Sequence, residues 1–125
     1  MIQKIAWLAL AGALGTVARY ALAGLVQNLT GAAFPWGTAA VNIIGCFWAG
    51  LLWALFENRW TVSGDTRVLV LIGFMGAFTT FSAFMLETGE LVRASEWMHA
   101  AGNVLLQNGL GFIALFAGIT VGRMV

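Results

Sequence analysis

The chain has 125 residues, 61% of them hydrophobic and 9% charged, with a mean hydropathy of +0.90. Soluble domains carry about 25% charged residues, so this composition excludes a soluble globular fold and specifies an integral membrane protein. Six Lys/Arg against five Asp/Glu leave a net charge of +1, which offers nucleic acid no basic surface and makes no acidic tail.

The first predicted span runs from Ile2 to Leu25, since a helical crossing takes roughly 20 apolar residues. Lys4 resembles the start of a signal peptide, but the apolar stretch outruns the ~7–15 residues of such a region. Gly12, Gly15 and Ala18 share one helical side and favour close packing. Arg19 is the only charge between Lys4 and Glu57. It either snorkels to the interface beside Tyr20 or serves a functional site, the default reading for an intramembrane charge.

Gln27 to Trp36 is a short connector in which Pro35 suits the first turn of the next helix, with Phe34 and Trp36 as interfacial anchors. The second span, Trp36 to Phe56, carries Thr38, Asn42, Gly45 and Ala49 at helical spacing. An amide at bilayer depth needs partners, so Asn42 either glues helices together or offers its N–H donors to a passing anion. Cys46 reads as a small buried hydrophobe and, alone, forms no intrachain disulfide.

After the polar loop Glu57–Asp65, with its Ser63-Gly64 turn signal, the third span runs from Val68 to Leu86 and contradicts itself. Gly73 and Gly76 weaken the helix, and the hydroxyls of Thr79, Thr80 and Ser82 compete for backbone hydrogen bonds. Phe81 and Phe84, at i and i+3, project from one face. Non-helical backbone survives in hydrocarbon only where protein buries it or water lines it, so a break here indicates an ion site or a permeation path. Glu87 and Glu90 follow as solvated carboxylates near the membrane surface. Arg93 to Gly102 is short and polar, and His99, without a matching ligand or nucleophile, reads as structural.

The fourth span, Asn103 to Val121, holds three amides, Asn103, Gln107 and Asn108, and a small-residue ridge of Gly111, Ala114 and Gly118. Residues 1–125 thus read as one all-α transmembrane domain of four helices, the third broken. Lys4, Arg59, Arg67 and Arg123 fall on one side, Arg19 and Arg93 on the other. The positive-inside rule puts the termini in the cytoplasm by a small margin. So thin a bundle predicts an oligomer, with the ridges on spans one, two and four as its interfaces.

Amide donors and the positive edges of phenylalanine rings suit a small anion. The carbonyls freed at a break suit a small cation. A four-helix multidrug exporter needs a glutamate in its first helix, where this chain has only Arg19. A membrane scaffold accounts for the glycine ridges but leaves the break unexplained. No nucleophile–base pair and no cofactor motif points to an enzyme.

Four stretches resemble the CrcB/Fluc family of fluoride channels. They are Gly12-x-x-Gly15-x-x-x-Arg19-Tyr20, the run from Pro35 through Thr38 and Asn42 to Gly45, the run from Gly73 to Phe84, and Asn108-x-x-Gly111. Ala39, Met75, Ala77 and Ala83 depart from the family's Leu, Cys, Gly and Thr, and Phe112 stands where serine is common. The resemblance implies a fluoride-selective channel for passive efflux across the bacterial inner membrane. It implies an antiparallel, dual-topology homodimer with two pores. Phe81 and Phe84 would form an aromatic box, Asn42 would donate amide protons to fluoride, and Ser82, Asn108 and Thr38 would belong to the polar lining. Arg19 would sit at a vestibule, where positive charge concentrates anions. The carbonyls of Gly76 and Thr79 would hold a structural sodium ion on the dimer axis.

Overall fold

The computed structural model describes all residues, Met1–Val125. The chain is helical throughout, in the order α1 (Ile2–Thr30), α2 (Trp36–Asn58), α3 (Gly64–Arg67), a π-helical segment (Val68–Met75), α4 (Gly76–Phe78), α5 (Phe81–Arg93) and α6 (Trp97–Met124). Four stretches are long and apolar enough to cross a membrane: Ile2–Thr30, Trp36–Asn58, Gly64–Arg93 and Trp97–Met124. The helices extend past the predicted apolar spans because they continue through polar residues such as Gln27, Glu90 and His99.

The connections are closed by specific caps. α1 ends at Gly31, whose φ of 58° is left-handed and whose N–H reaches the Gln27 carbonyl, a conformation that favours glycine. The Gln27 side chain spans the following loop. Its Nε2 donates to the carbonyls of Ala32 (2.7 Å) and Phe34 (3.1 Å), and its Oε1 accepts the Gly37 N–H at 3.0 Å. One of the orphan donors at the start of α2 is thereby satisfied. At the opposite end, Ser63 caps α3 by accepting the Thr66 N–H at 3.1 Å. There Lys4 pairs with Asp65, Arg67 donates to the Phe56 carbonyl, and Arg59 reaches the Arg123 carbonyl at 3.4 Å. The four cations predicted to share one side, Lys4, Arg59, Arg67 and Arg123, therefore gather at one end, with both termini.

Lipid is as apolar as leucine, so helices here associate through close packing rather than through escape from water. The glycines supply that closeness. A methyl group at Gly50 would overlap the Leu115 carbonyl, one at Gly118 the Phe47 carbonyl, and one at Gly122 would meet the Leu51 carbonyl at 2.8 Å. These contacts pair α2 with α6. Gly15 of α1 lies under the Phe74 carbonyl, Gly37 of α2 against the Ala23 carbonyl, and Gly45 of α2 against Thr79 and Phe78. The ridges expected to serve an oligomer interface are thus consumed inside the protomer. Between α1, α2 and the broken segment lies a buried cluster of Val41, Met75 and Phe78, with Ala18, Leu22 and Phe74 around it.

Candidate ion pathway

The third span breaks, but not at its glycines. Gly73 stays helical because it fits beneath α1, where an added methyl would meet Ala11 Cβ at 2.9 Å. Gly76 also stays helical, as the first residue of α4. The widened π-helical turns of Val68–Met75 precede the break, and such turns are often found at functional sites. The helix then stops at Phe78. Thr79 (φ −83°, ψ 160°) and Thr80 (φ −150°, ψ 113°) are extended, and α5 restarts at Phe81.

Hydrogen bonding explains this location. The Thr79 hydroxyl bonds back to the Met75 carbonyl at 3.1 Å. The Thr80 hydroxyl caps α5 by accepting the Ala83 N–H at 3.2 Å, the usual service of a threonine before a helix. Asn42 then takes the Thr80 peptide. Its Oδ1 accepts the Thr80 N–H at 2.7 Å and its Nδ2 donates to the Thr80 carbonyl at 3.0 Å. In a continuous helix that N–H would close onto the Gly76 carbonyl four residues earlier.

A chain of side chains continues from Asn42. Its Nδ2 also donates to Gln107 Oε1 at 2.7 Å, and Gln107 Nε2 donates to Asn103 Oδ1 at 2.8 Å. Asn103 Nδ2 donates to Thr88 Oγ1 at 2.9 Å, and the Thr88 hydroxyl donates to the Phe84 carbonyl at 2.7 Å. Asn103 is completely buried. Both amide protons of Asn42 are engaged within the protein.

Beside the break lies a cavity of about 360 Å³, bordered by Asn42, Gly45, Gly76, Thr79, Thr80, Phe81, Phe84, Gln107 and Asn108. Phe84 is buried and Phe81 is 73% exposed. Their ring centroids are 5.8 Å apart with planes at 57°. A second cavity, about 650 Å³, opens toward α1 and is bordered by Arg19, Tyr20, Asn28, Thr38, Thr80 and Ala83. Thr80 borders both. Of the predicted site residues, Asn42, Phe81, Phe84, Asn108, Gly76 and Thr79 come together at the first cavity, and Thr38 and Arg19 at the second. Ser82 borders neither; it is exposed, with its hydroxyl 3.4 Å from that of Thr80.

Glu87 departs from the predicted solvated carboxylate. Its Oε1 accepts the Thr38 hydroxyl at 2.7 Å, while Oε2 is buried without a partner. Glu90 does lie at the surface, paired with Arg93 at 3.5 Å. His99 pairs with Glu96 at 3.1 Å and meets Phe34 edge-on at 6.1 Å. No three His, Cys, Asp or Glu side chains come together to hold a metal. Oxygen ligands at the break are carbonyls and hydroxyls.

Gln107, Asn103 and Thr88 are the members of this site that the predicted set lacks. The small-residue ridge of α6 held the signal, because Asn103, Gln107 and Gly111 recur every four residues on one helical face.

Comparison with known proteins follows the same residues. The family described as "CrcB-like protein, Camphor Resistance (CrcB)" matches residues 6–119. The chain is 63% identical to a "Fluoride-specific ion channel FluC" of Desulforapulum autotrophicum and 55% identical to one of Nitrosococcus oceani, each over the full length of both chains. It is 49% identical, again over both full lengths, to one of Solidesulfovibrio magneticus. A multi-pass helical chain matched through all four of its spans in this way belongs to the CrcB family.

Proposed function

We propose that this protein is a fluoride-selective channel, not an enzyme, and that it lets fluoride leave the cell passively across the bacterial inner membrane. The observation that carries the reading is the break at Thr79–Thr80, pinned by Asn42 and flanked by Phe81 and Phe84 at a mostly apolar cavity with a few polar groups, among them Asn42, Thr79, Thr80, Gln107 and Asn108. The names of the relatives point to the same ion. Phenylalanine edges carry partial positive charge, so rings that present edges to the cavity hold a small anion without trapping it. Arg19, at the second cavity beside Thr38 and Thr80, raises the local anion concentration.

The working unit is a homodimer of antiparallel protomers with two pores. Its support is Phe81, a large aromatic ring left exposed beside the cavity, where a second copy completes the wall. Ser82 and Asn108, also exposed, join the polar lining from that side. The small margin of cations, four on one side of the spans against two on the other, biases orientation only weakly and leaves insertion in both orientations open.

A structural sodium ion fits the break. The Thr80 N–H is diverted to Asn42 and leaves the Gly76 carbonyl, and the Thr79 carbonyl receives no backbone bond. Two such carbonyls from each of two protomers make a hard oxygen cage of the kind a hard cation selects. Fluoride tolerance tests the reading in cells. A fluoride-sensitive bacterium expressing the chain should grow in fluoride at concentrations that stop the same strain carrying an empty vector. Equal sensitivity, with the protein present in the membrane, would contradict it.

A further inference from the structure

Charge is spread unequally over the two ends of the spans. At the end that holds both termini, Lys4 is spent on Asp65. That leaves Arg59, Arg67 and Arg123 against one remaining carboxylate, Glu57, and none of the three guanidiniums enters an ion pair. At the opposite end Arg93 is paired with Glu90, and His99 with Glu96.

A guanidinium carries five N–H donors. Arg59 gives one to the Arg123 carbonyl at 3.4 Å, and Arg67 gives one to the Phe56 carbonyl. These bonds cover carbonyls at the C-terminal ends of α6 and α2, where partial negative charge attracts cations. Capping therefore explains where Arg59 and Arg67 sit, but it leaves most of their donors unspent. The Arg123 side chain makes no bond within the chain at all. The backbones hold the group together: Gly122, next to Arg123, lies against Leu51 and Ala54 of α2, and Arg67 reaches α2 three residues before Arg59. Trp60 is 52% exposed, its ring 6.0 Å from that of Phe56. An exposed tryptophan at the end of a span marks the level of the lipid headgroups.

We propose that Arg59, Arg67 and Arg123 form a binding site for the phosphodiester of an anionic phospholipid, seated beside Trp60 at the shared end of α2 and α6. The fork of a guanidinium matches two phosphate oxygens, and like charges gathered at one place call for an anion. A zwitterionic lipid brings its own cation and gains less. A second copy of the chain fits the site less well, because Glu90 and Glu96 are already paired and Glu87 is turned to Thr38.

Arg123→Gln tests the site cleanly, since it removes a charge and a fork without removing any bond inside the chain. The full chain, purified in neutral detergent, is titrated by native mass spectrometry with phosphatidylglycerol, with phosphatidylcholine of the same acyl chains, and with inorganic phosphate. Wild type should bind phosphatidylglycerol at least about fivefold more tightly than phosphatidylcholine. Arg123→Gln should lose about fivefold of the phosphatidylglycerol affinity, the worth of one Lys or Arg near a membrane surface, and keep its affinity for phosphatidylcholine. Arg93→Gln, at the opposite end, should bind both lipids as wild type does. Equal binding of the two lipids by wild type, or equal losses in the two variants, overturns the proposal. Inorganic phosphate bound as tightly as phosphatidylglycerol overturns it in favour of a free-anion site. A shift of Arg123→Gln from dimer to monomer with lipid affinity unchanged overturns it in favour of a second copy.

Discussion

Asn42 shows how much one side chain decides in hydrocarbon. Its amide presents an acceptor and a donor at the separation of a peptide's own N–H and C=O, and it takes both polar groups of Thr80. Each buried group left unpaired would cost on the order of 1–3 kcal/mol, so the extended backbone at Thr79–Thr80 persists only with this partner. Phe81 has the opposite character. It makes one aromatic contact, with Phe84, and is otherwise exposed, so the fold of the single chain does not depend on it. Phe81→Ile retains most of the apolar bulk and removes the ring quadrupole. It should leave the purified protein monodisperse and slow fluoride efflux by about two- to tenfold, from the worth of an aromatic edge interaction. Flux at the wild-type rate through folded Phe81→Ile would remove the ring edge from the mechanism.

At the scale of elements, the division of labour is between a fixed pair and a broken partner. α2 and α6 are locked by glycines that admit no side chain, and together they carry Asn42 and Gln107 on facing sides. The third span, interrupted and preceded by π-helical turns, takes its geometry from that pair and from α1. Gly118→Val should therefore lower the melting temperature in detergent through overpacking against the Phe47 carbonyl, a cost of about 1–3 kcal/mol. Gly89→Ala, on a face with nothing within 4 Å of the added methyl, should leave it unchanged or raise it, since alanine is the better helix former. Equal effects of the two would mean that the glycine ridge does not set the α2–α6 contact.

The existence of four spans and of a break was legible in composition and in the run from Gly73 to Phe84. The position of the break was not. Glycine and threonine both weaken a helix, and only the capture of Thr80 by Asn42, from another span, decides between them. The same holds for Gln107 and Asn108. Gly111 lies four residues after the first and three after the second, so spacing admits either, and the rotation of α6 against Gly50 and Ala54 turns Gln107 inward.

For the whole molecule, the protomer satisfies its internal ridges and leaves its candidate pathway half-walled. Phe81, Ser82, Gly76 and Asn108 are all exposed around the break, and a second copy would cover them while completing the carbonyl cage for sodium. On the proposed reading the dimer holds two narrow tracks through which fluoride passes passively. That account stands or falls on ion movement. The purified protein, reconstituted into liposomes loaded with sodium fluoride and sodium chloride, is opened to efflux while fluoride and chloride electrodes follow both ions. The account predicts rapid loss of fluoride with chloride retained. Retention of both ions by well-folded protein, or loss of both at similar rates, would contradict it.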